Sequence, residues 1–342
     1  MDVKYLEKQE GVYAEEIEMN DNEIPERFEA REKWPECQSI TTIRDQANCE
    51  PHLSDQELVD YLNREQHLFK AELPDISEEE FKSRLMDVKY LEEQEGIYAE
   101  EIEMNDEEIP ERFEAREKWP ECQSITTIRD QANCGNDFVL KTVISDTDIL
   151  ACCGSYCGLG CNGGYTIRAW QYAMQSGSCS GGPYRQKGVC KPYAFHPCGR
   201  HANQSYYGEC TVSLEKTPAC RTTCQLGYPV KYQDQTTSAY YLCHCEKAIQ
   251  KEIMRNGPVQ AAYIVYSDFR AYKEGIYKHT YGAQLGGHAI KIVGWGVENG
   301  TKYWTISNSW NSDWGENGYF RMIRGVNDCS LESQAVAGMM KV

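Results

Sequence analysis

Two residues twenty positions apart could form a base and its positioner. His288 stands in "GGHAIKIVGWG" and Asn308 in "YWTISNSWNSDWG". Between them "VENGT" carries an Asn-Gly dipeptide, a strong hairpin signal. Folding the chain about Val297–Gly300 sets His288 and Asn308 nearly opposite each other, roughly 4.5–5.5 Å apart at Cβ. An amide placed there orients an imidazole, fixes its tautomer and leaves the other ring nitrogen as a base. A histidine on a strand is more often structural. Gly286, Gly287, Trp310 and Trp314 crowd this pair and favour the functional reading.

The elements that must hold the pair are legible from periodicity and punctuation. From Pro258 to Val342, β-branched and aromatic runs broken by Gly and Asn predict antiparallel strands. "EKAIQKEIMRNGP" (246–258) predicts a helix closed by Gly257 and Pro258. "CCGSYCGLGCNGGY" and residues 190–224 are loop-rich and cysteine-rich. The expectation is an α+β protein with two lobes, one of helices and loops and one of β-strands. Upstream, "LSDQELVDYLNREQHLFKAELPDISEEEFKSRL" predicts two short helices, with capping boxes at Ser54/Glu57 and Ser77/Glu80. Leu58, Tyr61, Leu62, Leu68 and Phe69 form an apolar stripe, interrupted by Glu65, that must pack on something, most simply the body that follows.

Charge divides the chain at the same place. Residues 1–108 carry 33 acidic and 11 basic side chains, a net of −22; residues 109–342 carry 20 and 24, a net of +4. This imbalance argues for mutual attraction and against nucleic acid as the partner of the whole chain, the alternative being a solvated, partly disordered acidic arm. No apolar run is long enough to span a membrane. Seventeen cysteines, with the sequons at Asn203 and Asn299, point to an oxidising compartment. "MDVKYLEKQE" nevertheless lacks an apolar signal core. Residues 1–49 recur at 86–134 with differences only at Lys8/Glu93, Val12/Ile97 and Asn22/Glu107. Residues 1–49 are therefore read as a duplicate rather than a domain, and the start with its signal peptide is expected to be missing. "CHC" (243–245) lacks the second ligand pair of a zinc site, so neither metal nor cofactor is expected.

At these motifs residues 52–342 resemble the cathepsin B-type peptidases of the papain family. The resemblance implies a papain-like two-lobe fold, with a propeptide-like segment at 50–108 lying backwards through the cleft and a peptidase domain at 109–342. It implies that His288 and Asn308 work with a cysteine at the start of a long central helix, and that Gln131 in "RDQANC" is the oxyanion-hole donor. Gly163 and Gly164 in "CNGGY" and Trp310 would bind extended substrate, and Glu332 would form the acidic base of the S2 pocket. Residues 196–210 match the occluding loop behind dipeptidyl carboxypeptidase action. There Arg200 replaces the first of two histidines, leaving His201 to hold a substrate carboxylate. Implied disulfides are Cys134–Cys161, Cys152–Cys220, Cys153–Cys157, Cys190–Cys224 and Cys198–Cys210. Implied partners are peptide or protein substrates, the chain's own propeptide and cystatin-like inhibitors, in a lysosomal or secreted setting. Acid should weaken the leader's attraction to the body by protonating its carboxylates.

One departure is large. The family pattern Cys-Gly-[SA]-Cys-[WY] should follow Gln131. Here "DQANCGNDFVL" (130–140) keeps Cys134 and Gly135, then runs into Asn136, Asp137 and Phe138, and "VISDTDILACCG" resumes a later family segment. The expectation is a deletion that removes the central helix, with Asp137 at the nucleophile's position by count only. Cys122 would be left without a partner. Each lost buried side chain is worth about 1.5–3 kcal/mol, against about 5–15 kcal/mol for a whole domain, so the first lobe should suffer. Two readings stay open: a peptidase gene whose chain as written lacks its thiol, or a secreted non-catalytic relative that binds peptides or inhibits sibling enzymes.

Overall fold

Short apolar runs separated by Gly and Asn turns fold into one mixed sheet. Its strands are β1 (Phe69–Ala71), β2 (Phe113–Glu114), β3 (Tyr240–Tyr241), β4 (Val259–Tyr266), β5 (Tyr272–Tyr277), β6 (Gln284–Glu298), β7 (Thr301–Ser307), β8 (Tyr319–Ile323) and β9 (Val336–Ala337). The computed structural model describes residues 53–99, 102–132, 134, 144–228, 238–243 and 245–339. The duplicate at 1–49, and the segment 135–143 with Asp137 and the expected loss of a central helix, lie outside the described residues. The strand order is β1-β5-β8-β7-β6-β4-β9-β3, with β2 also pairing to β6. Pairings are antiparallel as expected except β5 with β8, which is parallel. The chain between β5 and β8 runs through the β6–β7 hairpin, so no tight turn forces the two to oppose.

The sheet encloses one core and braces a second. Tyr263, Phe269, Tyr277, Trp295, Trp304 and Phe320 are fully or almost fully buried in the first. Helix Glu246–Asn256 adds Ile249 and Ile253, and ends at Gly257, whose φ of 93° suits only glycine. The second core gathers Ile149, Ile167, Trp170 and Tyr241 around helices Asp146–Cys152 and Thr166–Ser176. Trp170 Nε1 donates to Gln260 Oε1 (2.9 Å) and ties this lobe to β4. Disulfides Cys134–Cys161, Cys152–Cys220, Cys153–Cys157, Cys190–Cys224 and Cys198–Cys210 brace its loops. A further bridge joins Cys243 to Cys245, while Cys122, Cys179 and Cys329 are free thiols.

The acidic leader is built into the first core. Ser54 and Glu57 form a reciprocal capping box at the start of helix Asp55–Glu65, which buries Leu58, Val59 and Leu62. The expected continuation of the helical stripe to Leu68 and Phe69 is wrong. Gln66 Oε1 accepts from the Leu68 and Phe69 amides (2.8 and 3.0 Å) and Nε2 donates to the Phe69 carbonyl, which ends the helix. Phe69–Ala71 become strand β1 and pair with β5. Asn63 then brackets Ala71 with two 2.9 Å hydrogen bonds. A second helix, Glu78–Lys82, starts at Ser77, which accepts from the Glu80 amide (3.1 Å), and buries Phe81.

Leader and body do attract through charge. Asp106 meets Lys247 (2.5 Å) and Lys251 (2.9 Å), Glu72 approaches Lys273 (3.8 Å) and Asp55 pairs with Arg270. All three acids are about half exposed, so solvent screens these pairs and they contribute little. Burying Leu62, Phe69 and Phe81 stabilises by about 1.5–3 kcal/mol each. Apolar packing therefore dominates the docking. Leu62→Ala should weaken it by about 2–5 kcal/mol, seen as faster hydrogen exchange at the β1 amides. Unchanged exchange there would place the docking energy in the ion pairs instead.

Candidate active site

The candidate base sits on β6 and its positioner just past β7. The β6–β7 turn is Asn299-Gly300, both with positive φ, and pairing runs from Glu298–Thr301 to Lys291–Ser307 with a bulge near Val293. The register thus lies about one position later than a fold about Val297–Gly300 would give. Asn308 falls beyond the last pair, and its side chain reaches His288. Asn308 Oδ1 accepts from His288 Nε2 (2.8 Å) and from the Ser309 amide (2.8 Å). Because Oδ1 only accepts, Nε2 carries the proton and Nδ1 keeps its lone pair in the neutral ring. The Trp310 ring stacks on His288 with centroids 4.6 Å apart.

Gln131 is drawn to the same place by a short antiparallel contact between Asp130 and Trp310. Its amide donates to the Ser309 carbonyl (2.9 Å), and its Oε1 accepts from Ser309 Oγ (2.6 Å). Its Nε2 is thereby aimed away, donating to the carbonyls of Arg84 (2.8 Å) and Cys134 (2.9 Å). Cys134 is fully buried and bonded to Cys161, so it offers no thiolate. Asp137 lies outside the described residues.

The leader fills the cleft these residues border. Met86 exchanges backbone hydrogen bonds with Gly287, next to His288 (2.9 and 2.8 Å). From the other lobe Gly163, at φ 113°, approaches so closely that a Cβ there would lie 2.6 Å from Met86 Cβ and 2.8 Å from the Tyr90 ring. Gly164 pairs with Gly158 and shapes this turn. Tyr90 packs edge-on to Tyr165, and Phe81 edge-on to Trp310. His288 is consequently 1% exposed. Burial pushes its pKa down to about 4, opposed in part by the Asn308 hydrogen bond.

The structure places the remaining sequence candidates apart from this pair. His201 has both ring nitrogens engaged: Nδ1 faces Asp313 (2.9 Å), and Nε2 lies 2.8 Å from the Cys198 carbonyl and 3.4 Å from Asp130. Those contacts hold the 198–210 loop against residues 130 and 313. Arg200 points outward over Tyr206. Glu332 is buried, with Oε1 accepting from Trp304 Nε1 (3.0 Å) and the Gly325 amide (2.6 Å); its Oε2 is buried without a hydrogen-bond partner. Sequence reasoning missed the Arg84 carbonyl, Met86, Asp130 and Asp313. Only Asp130 carried a signal, as the neighbour of Gln131.

Comparison with known proteins gives consistent results. Residues 109–339 match the family described as papain family cysteine protease. The cathepsin B-like cysteine proteinase 1 of Ostertagia ostertagi is 44% identical over 313 residues, covering 84% of this chain and 91% of that protein. The gut-specific cysteine proteinase of Caenorhabditis elegans is 45% identical over 316 residues, covering 85% and 92%. Among solved structures, procathepsin B S9 from Trypanosoma congolense superposes with a TM-score of 0.67 at 31% identity, covering 85% of this chain and 99% of that one. Procathepsin L 3 of the Tenebrio molitor larval midgut shares the fold, with a TM-score of 0.57 at 20% identity.

The His288 environment sets a pH dependence. In the unfolded chain the ring takes its proton near pH 6.5; in the folded chain it resists until about pH 4. Between these values the unfolded state binds more protons, so stability falls as pH falls through this window, by on the order of 3 kcal/mol in total. An NMR titration of the His288 ring should show a midpoint near 4, moving toward the ordinary value when the leader is displaced. A midpoint near 6.5 with the leader docked would contradict this burial.

Proposed function

We propose, from the premise that this chain belongs to the papain family of cysteine proteases, on its cathepsin B-like branch, that it is a zymogen-type chain shut by its own leader and without hydrolytic activity as written. The observation that carries the zymogen reading is the seat of the leader. Met86 pairs with Gly287 beside His288, and the Arg84 carbonyl takes the Nε2–H of Gln131. In the corresponding active peptidase, a thiolate would attack a substrate carbonyl, Gln131 Nε2 would stabilise the oxyanion and His288 would hold and deliver the proton. Gly163, Gly164 and Trp310 would border extended substrate, and the buried Glu332 Oε2 would receive a basic side chain. On the 198–210 loop, His201 would have to leave Asp313 to hold a terminal carboxylate, whereas Arg200 is already exposed.

Inactivity rests on the sequence. No cysteine follows Gly135 where the thiolate is needed, and a carboxylate such as Asp137 is a poor nucleophile toward an amide. Disulfide density supports a lysosomal or secreted setting, and an emptied cleft would accept peptides or cystatin-like inhibitors. Acid favours emptying it, since an uncovered His288 binds its proton more readily than the buried ring.

The test is hydrolysis of an Arg-Arg fluorogenic reporter at acid pH by the chain as written. Background rates are expected; turnover blocked by a thiol-directed epoxide would overturn the inactivity. Sequencing the transcript across Cys134–Ser145 then separates the two histories. A restored Cys-Gly-Ser-Cys-Trp would identify an ordinary peptidase, and a confirmed short join would leave a peptide-binding relative.

A further inference from the structure

Cys243 and Cys245 flank a single residue and are joined to each other. They differ from the other bridges among the described residues in two respects. Both cysteines are exposed, whereas each other bridge has at least one buried or half-buried member. The loop they close is also the shortest, and closing a short loop removes least entropy from the unfolded chain. Little in the fold therefore resists opening this bridge.

Its surroundings favour a thiolate on one side. Cys245 is the N-cap of the eleven-residue helix Glu246–Asn256, and no side-chain capping bond competes for that helix end. The partial positive charge there stabilises a thiolate and makes Cys245 the better leaving group. Lys247 in the first turn is itself paired with Asp106 (2.5 Å), so the helix end rather than this lysine supplies the positive field. The adjacent Glu246 carboxylate is held by Lys302 (3.0 Å) and Arg324 (3.3 Å), which offsets its charge.

We propose that Cys243–Cys245 is a reversible thiol–disulfide exchange site for low-molecular-weight thiols. An incoming thiolate attacks Cys243 Sγ, the S–S bond breaks and its electron pair leaves on Cys245 Sγ. A second small thiolate attacks the small-molecule sulfur of the mixed disulfide and expels Cys243 as a thiolate. Two thiols are oxidised to one disulfide, two electrons pass to the protein pair, and the protons released by the two thiols balance the two protein thiols formed. The site opens into a cavity shared with Ala99, Ile102 and Asp106 of the leader. Exchange would thus occur beside the contact of Asp106 with Lys247 and Lys251.

The test equilibrates the full chain in glutathione buffers of graded reduced-to-oxidised ratio, followed by two-step alkylation with distinguishable labels. Tryptic peptide 232–247 contains only these two cysteines, so mass spectrometry reads the pair directly. The pair should become reduced at a [GSH]²/[GSSG] ratio about tenfold or more below that needed for Cys152–Cys220 or Cys190–Cys224, and should reoxidise when the ratio is reversed. Reduction only in step with those bridges, or free thiols at every ratio, would overturn the proposal. Cys245→Ser, which leaves one thiol, should accumulate a glutathionyl adduct on Cys243 in oxidised glutathione. Failure of that adduct to form would show that Cys243 sulfur cannot enter the mixed disulfide with glutathione that the exchange requires, and would equally overturn it.

Discussion

A neutral imidazole sealed from water is the constraint on which this structure turns. His288 loses its hydration to Trp310 above the ring and to the leader strand beside it, and burial then opposes its charge. The hydrogen bond from Nε2 to Asn308 is the compensation that the fold provides. Asn308 is itself fixed by the Ser309 amide, and Ser309 in turn holds Gln131. His288, Asn308 and Gln131 are therefore one connected set of hydrogen bonds rather than three separately placed residues. The leader closes that set by placing a backbone carbonyl on Gln131 and a backbone pair on Gly287.

The platform for the leader is the β lobe. Its core unites Leu58, Leu62, Phe69, Phe81 and Leu85 with Phe269, Tyr272, Tyr277 and Trp310. All of these residues lie outside residues 135–143. The ion pairs at Asp55, Glu72 and Asp106 decorate the rim of this contact. The net charge difference between leader and body thus guides their approach more than it sets their affinity.

Much of the scaffold was legible because it depends on local chemistry. Ser54 with Glu57, Gly257 after a helix, and Asn299-Gly300 between strands are short-range signals with short-range consequences. Gln131, Glu332 and the disulfide set came from resemblance, since no spacing rule fixes which cysteines meet. What escaped depends on long-range partners. Phe69–Ala71 form a strand only because β5 offers an edge and Gln66 terminates the helix. The bulge near Val293 shifts the His288–Asn308 register, and nothing in the alternation of that run announces it. His201 looked free to hold a carboxylate because Asp313, more than a hundred residues away, was not foreseeable as its partner.

Glycine has a further consequence in the cleft. Gly163 on one wall and Gly286 and Gly287 on the other admit the leader to distances that any Cβ would forbid or crowd. Walls without side chains read the amides and carbonyls of an occupant, and those are the same in every peptide. Such a passage can fix the strand direction and extension of what enters it, while remaining nearly blind to its composition in the middle. Side-chain contacts with the occupant lie elsewhere, as where the Tyr165 ring meets Tyr90 edge-on. The cleft's grip on the leader at these glycines is generic.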